Sequence, residues 1–237
     1  MGTYLYAITA VGHPLRLSGV GGVGNPAAQL RTVSTKDLCA VVSDAPPGLR
    51  AKRRDVAAHQ DVQERLLADG AALPMRFGLV GADDEEVAAA LEQDRDSYLR
   101  RLAETDGCRE YHLKVVRDED DLLREIMRES AEVRRLNDRT RQNPGAYDDK
   151  MALGELISQQ VRARQEHARS DIVTRLGRTA KRTAEAGPTR DHLLTVSFLV
   201  ERDRVAAFSE AVHEEAGRRG DAYTFSLHGP LPPYSFV

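Results

Sequence analysis

From Asp118 to about Asn137, and again from about Tyr147 to Glu185, the chain is charged, rich in helix formers and almost free of aromatic residues. A stretch of that kind has too few large apolar side chains for a closed core, so it is confined to long solvated helices. Asn143-Pro144-Gly145 interrupts it with strong helix-breaking residues. The expectation is a long antiparallel helical hairpin over about 118–186. Residues 118–132 hold seven acids against Arg124 and Arg128, and residues 160–182 hold seven bases against Glu166 and Asp171. Folding the chain back about residue 145 lays the acidic part beside roughly residues 158–172. Each exposed pair contributes only about 0–1 kcal/mol, so these charges specify register rather than hold the arms together. Val161 to Ile172 carries few large apolar residues and is expected to be solvated.

Strand patterns flank that block. Glu110 to Arg117 alternates, with Tyr111, Leu113 and Val115 on one side. After Gly187-Pro188 comes a run of β-formers over 192–200, then an amphipathic helix over 202–219 and an alternating strand over 222–227. The first part of the chain reads as a strand over 4–9, a short strand over 15–18, a hairpin of strands 30–33 and 38–42, and a helix over 52–69. A strand over 72–80 follows, then one helix starting at the acids Asp83 to Glu86 and ending near Asp106-Gly107. His59 lies on or beside the apolar stripe of the 52–69 helix and is assigned no role. The 237 residues, 41% hydrophobic and 30% charged, suit one large domain or two small ones; taken as two, they are α+β domains over 1–107 and 108–237.

Several function classes are disfavoured. The 34 basic residues are outnumbered by 37 acidic ones and there is no Trp, which argues against nucleic-acid binding. No run approaches the roughly 18 apolar residues of a membrane span. Met1-Gly2-Thr3-Tyr4-Leu5-Tyr6 lacks the basic region of a secretory signal, so the expected location is cytoplasmic. Cys39 and Cys108 stand alone, outside any CxxC, and read as reduced thiols. The seven His are scattered, no metal or nucleophile motif occurs, and neither Ser43-Asp44 nor Ser226-His228 makes a triad by spacing. No cofactor or metal is expected and the chain is read as non-catalytic.

Gly19-Val20-Gly21-Gly22-Val23-Gly24 does match GxGxxG, and Asp44 ends a strand about twenty residues later, as a dinucleotide site requires. The intervening helix is the weak part, because Thr32-Val33-Ser34-Thr35 favours extended chain. A flexible loop is preferred; a dinucleotide-binding oxidoreductase using Gly19 to Gly24 and Asp44 is the alternative.

Two further stretches draw attention. In Leu73-Pro74-Met75-Arg76-Phe77-Gly78-Leu79-Val80 a cation sits inside an apolar run. Alternation puts Met75, Phe77 and Leu79 on one face and Arg76 on the other. A guanidinium so close to a core calls for a carboxylate or carbonyl partner, so Arg76 is expected to be a structural brace. At the other end, residues 229–237 form an extended Pro-rich tail in which Pro230, Pro232, Pro233, Tyr234 and Phe236 could dock into an apolar groove of a partner.

Together these features resemble the GvpL/GvpF family of gas vesicle proteins: Tyr4-Leu5-Tyr6, Gly19 to Gly24 before Leu38 to Ser43, the string Leu73 to Gly78, Lys114-Val115 after Tyr111, and Gly229 to Phe236. They run in order along essentially the whole chain. The resemblance implies a minor structural or assembly component of gas vesicles that binds the small hydrophobic shell protein. Other gas vesicle accessory proteins are further implied partners. It also implies two α+β domains, the second a modified ferredoxin-like sandwich with the helical hairpin inserted.

Overall fold

The structure, a computed structural model, describes residues 2–143, 145–187 and 192–237. The expected break at Pro144 and helix stop at Pro188 lie outside the described residues. The chain forms two compact units, Met1–Tyr111 with Gly229–Val237, and His112–His228. The division therefore falls after Tyr111 rather than at 107, and the tail belongs to the first unit, not the second. The reason is packing: Phe236 is buried and Val237 lies against the first unit's core.

The first unit contains β1 (Thr3–Ala10), β2 (Arg31–Ser34), β3 (Leu38–Asp44), α1 (Arg53–Asp69), β4 (Ala72–Pro74), β5 (Val80–Gly81), α2 (Asp84–Gln93) and α3 (Arg95–Thr105). The strand order is β2-β3-β1-β4, with β5 also paired to β1, and all these pairings are antiparallel. Central β1 is buried on both faces from Thr3 to Thr9. A register shift between Leu5 and Ala7 turns its side chains in pairs: Tyr6 and Ala7 face Val62, Leu66 and Leu67 of α1, while Leu5 and Ile8 face Val87 and Leu91 of α2 and Leu102 of α3. The sheet is thus covered by helix on both sides.

Three expectations fail here. Leu15 to Ser18 is not a strand: Leu15 has φ 48°, and the Leu17 and Val20 amides donate to Leu15 and Leu17 carbonyls, closing two successive turns. Residues 72–80 are two short strands separated by a turn, because Gly78 takes φ 91°, which ends an extended run. Met75 and Phe77 consequently pack in different clusters, and Leu79 is exposed. The helix from 83 is two helices that meet at Asp94, whose φ −105° and ψ 18° are non-helical. Its start does follow the sequence signal: Asp83 accepts from the Glu86 amide at 2.9 Å and the Glu86 carboxylate accepts from the Ala82 amide.

The second unit is built on β6 (Cys108–Arg117) from His112 onward, α4 (Glu119–Glu129), α5 (Ala131–Gln142), α6 (Tyr147–Gly177), β7 (Arg182–Glu185), β8 (Leu194–Glu201), α7 (Val205–Arg219) and β9 (Tyr223–Leu231) as far as His228. Its sheet order is β7-β8-β6-β9. The acidic stretch breaks at Ser130, which takes an extended conformation and caps α5 by accepting from the Val133 amide at 3.3 Å. The basic stretch stops being helical at Gly177, and residues 182–185, expected as helix, form β7 in register with β8. Backbone pairing with a buried neighbour outweighs a helix propensity worth tenths of a kcal/mol per residue.

Arg139 pairs with Asp149 near the turn, and Arg164 pairs with Glu125 and Glu129 at 3.3 and 3.2 Å farther along. Partners rise on one arm as they fall on the other, so α6 runs antiparallel to α4 and α5. A small cluster of Leu122, Ile126 and Val133 with Leu153, Leu156 and Ile157 lies between them. The stretch Val161 to Ile172 is not wholly solvated, since Ala168 and Ile172 are buried. Among the described residues no helix is long and apolar enough to cross a membrane.

Candidate functional site

On α1, His59 and Gln63 lie one turn apart and face the sheet. Both are buried, so their polar atoms need partners. Burial holds His59 below its ordinary pKa, keeping the imidazole neutral. The neutral ring donates from Nε2 to the Met75 carbonyl at 3.0 Å and accepts at Nδ1 from the Tyr4 hydroxyl at 2.9 Å. Burial pushes the Tyr4 phenol well above its usual range, so it remains a donor. Its oxygen also accepts from the Gly78 amide at 3.2 Å.

Gln63 completes the arrangement. Its amide nitrogen donates to the Tyr6 and Met75 carbonyls, each at 2.8 Å. Its carbonyl oxygen accepts from the Tyr234 hydroxyl in the tail. The tail is further held by Ser235, whose amide and hydroxyl donate to the Glu110 carboxylate at 2.9 and 2.7 Å. The two most specific strings in the sequence, 73–78 and 229–236, therefore meet through one glutamine that neither contains. A buried glutamine one turn after a buried histidine was the available signal, but composition around 52–69 does not separate it from an exposed polar residue.

Arg76 does not act as the expected brace. It is exposed at the turn and makes no ion pair or side-chain hydrogen bond among the described residues. The bracing is done from below by His59 and Gln63 on the backbone, and from the side by Phe77, whose ring lies 5.6 Å from His59 and 6.0 Å from Tyr4. In the tail, Pro233 and Phe236 are buried in the first unit and Tyr234 is half-buried, whereas Pro230 is exposed and Pro232 partly so.

The glycine loop has a different purpose from the dinucleotide alternative. No helix follows it: the Gly22 and Ala28 amides donate to the Ala28 and Val23 carbonyls in closed turns. The sheet is antiparallel, and Asp44 pairs with Arg31 at 2.8 Å. A Cβ at Gly22 would stand 2.5 Å from the Tyr6 hydroxyl, so glycine lets the loop reach that phenol, which accepts from the Val23 amide at 2.8 Å. The Gly24 amide caps Asp55 at 3.0 Å and lowers that carboxyl's pKa.

Cys39 and Cys108 are buried thiols. Among the described residues no three His, Cys, Asp or Glu side chains are grouped to hold a metal. The polar ring on α1 aims its donors at backbone carbonyls, which makes it a positioning device for the 75–80 turn.

The chain matches the family model for the gas vesicle synthesis protein GvpL/GvpF over residues 2–237. It is 38% identical to gas vesicle protein F of Streptomyces sp. (strain CB03234), with 100% of each chain covered. It is 26% identical to gas vesicle protein L of the same organism, over 99% of this chain and 92% of that one. The crystal structure of the gas vesicle protein GvpF from Anabaena sp. PCC7120 superposes with a TM-score of 0.84 at 22% identity, covering 99% of this chain and 97% of that chain. The corresponding GvpF structure from Microcystis aeruginosa gives 0.78 at 22% identity, over 99% and 98%. These two likenesses are of fold.

Proposed function

Because this chain belongs to the gas vesicle synthesis protein GvpL/GvpF family, we propose that it is a non-catalytic, minor structural or assembly component of gas vesicles that binds the small hydrophobic shell protein. The observation that carries this reading is the Arg76–Val80 turn. Leu79 and Val80 are 46% and 44% exposed there, beside an Arg76 without an ion pair among the described residues. Apolar side chains next to an available guanidinium suit an apolar segment that carries a carboxylate. Pro230, on the surface, is a second contact, while Pro232, Pro233, Tyr234 and Phe236 act from within by anchoring the tail.

On this reading the protein works at the gas vesicle in the cytoplasm. The second unit is read as a modified ferredoxin-like sandwich with a long helical hairpin inserted. Supporting this, its elements run β, helices, β, β, α, β, with the first and third strands central in the sheet. Tyr147 and Met151, 72% and 49% exposed and one turn apart on α6, support a separate contact for other gas vesicle accessory proteins.

Co-expression with the shell protein followed by pulldown tests the proposal. Wild type should retain the shell protein and Arg76→Ala or the double change Leu79→Ser, Val80→Ser should not. Absence of association by wild type, together with normal vesicles after deletion of the gene, would sink it.

A further inference from the structure

We propose that Tyr234 is a positioning residue for the exposed Arg76–Val80 turn, acting through Gln63 on the Met75 carbonyl. The inference deepens the binding role given to that turn and takes its functional meaning from it.

The side-chain amide of Gln63 has two N–H hydrogens, and both are directed at carbonyls, those of Tyr6 and Met75, each 2.8 Å away. Rotated by half a turn, the amide would set its own oxygen against those two carbonyl oxygens, with only His59 Nε2, 2.9 Å away, on the donor side. In the orientation that works, the Gln63 oxygen is left facing the tail, and Gln63 as a whole is fully buried. The Tyr234 hydroxyl supplies the donor for it. Burial raises the Tyr234 pKa, so the hydroxyl keeps its proton. Tyr234 thereby selects the amide orientation that grips Met75, as an unpaired buried carbonyl would favour reorganisation of the side chain.

Met75 is the last residue before the turn, and its carbonyl is held from two sides, by Gln63 and by His59. His59 is tied through Tyr4 to the Gly78 amide. The Leu79 amide closes the turn on the Arg76 carbonyl at 3.3 Å. A loosened Gln63 therefore slackens one of the two grips on the residue from which Arg76, Leu79 and Val80 project.

The tail itself does not depend on this bond. Ser235 makes two hydrogen bonds to Glu110, and Phe236 is 5% exposed. Removing the Tyr234 hydroxyl thus cuts the relay while leaving the tail docked.

The experiment is amide hydrogen exchange, followed residue by residue by NMR on the full chain, for wild type, Tyr234→Phe and Ser235→Ala. Tyr234→Phe is expected to speed exchange at Gly78 and Leu79 about tenfold, with α2 and α3 unchanged. Ser235→Ala, which lies outside the Gln63 relay, is expected to leave Gly78 and Leu79 within about twofold of wild type. Unchanged exchange at Gly78 and Leu79 in Tyr234→Phe overturns the proposal, as does an equal acceleration throughout the first unit. Pulldown of the shell protein by Tyr234→Phe separates the two readings. Faster exchange with undiminished capture keeps the positioning role and removes the turn as the binding surface; faster exchange with weakened capture supports both.

Discussion

In the first unit the sheet is covered on both faces and its polar side chains turn inward, onto backbone carbonyls. In the second, long helices turn their charges outward and meet through ion pairs around a small apolar cluster. Asp171 typifies the second unit, half-buried and receiving Arg175, Arg218 and Arg219 at 3.0, 2.7 and 2.6 Å. Gln63 typifies the first, touching Tyr6, His59, Met75 and Tyr234 with no exposure. A buried hydrogen bond is costly to break because the abandoned group has no water to turn to, whereas an exposed ion pair hands its charges back to solvent. Fragility within the first unit is therefore concentrated around the polar ring on α1.

The largest loss is expected from Gln63→Ala, which removes one of the two donors on each of the Tyr6 and Met75 carbonyls and strands the Tyr234 hydroxyl. It should lower stability by about 3 kcal/mol in chemical denaturation. A loss as small as that of a surface substitution would show the ring to be dispensable and erase the contrast between the units.

Acid separates the units next. His59 titrates below its ordinary 6.5 in the folded chain because it is buried. The unfolded chain takes up that proton first, so stability falls as pH drops below about 6.5. For Asp171 and Glu215, burial alone would raise the pKa, but hydrogen bonds from Arg218, with Arg175 on Asp171 and Arg219 on Glu215, lower it on balance. Their contribution is present above the ordinary carboxylate range and lost below about pH 4. Denaturation midpoints for wild type and His59→Gln between pH 7 and 5 should converge as pH falls; parallel curves would remove His59 as the cause.

Arg164→Ala should cost about 0.5–1 kcal/mol at low salt and less at 1 M salt, since its pairs with Glu125 and Glu129 are partly exposed. A salt-independent loss would mean that the arms are held together much as the first unit is. Smallest of all, Arg76→Ala should shift stability by no more than about 0.5 kcal/mol while abolishing shell-protein capture. A large loss of stability would restore the bracing role that its exposure denies.

Much of the element order was legible. The alternation of 110–117, the acids at Asp83 to Glu86 and the apolar stripe of 52–69 all mark elements close to where they form. The misses share a cause. Ser130 and Asp94 interrupt helices whose composition is helical on either side, and Arg182 to Glu185 leaves the helix to pair with β8. In each the composition is helical, and what departs from it is one backbone conformation, at Ser130 and Asp94, or a strand partner distant in the chain, at 182–185. The candidate site was legible only at its ends, in the strings 73–78 and 229–236. His59 carried no distinguishing pattern, and Gln63 looked like any polar residue on a helix.

Charge pattern, strand alternation and the two strings were enough, taken alone, to establish a mixed α and β chain with charged helical arms and to point to its family. They depend on local periodicity and residue chemistry, which a sequence displays directly. Which polar groups are cut off from water was settled only on folding. Arg76, conspicuous in an apolar string, ends in solvent; Gln63, inconspicuous on a polar helix, ends without exposure between both strings. Burial belongs to the assembled fold, because it depends on what packs above a side chain, and here that cover is a tail whose Tyr234 lies 171 positions away in the chain.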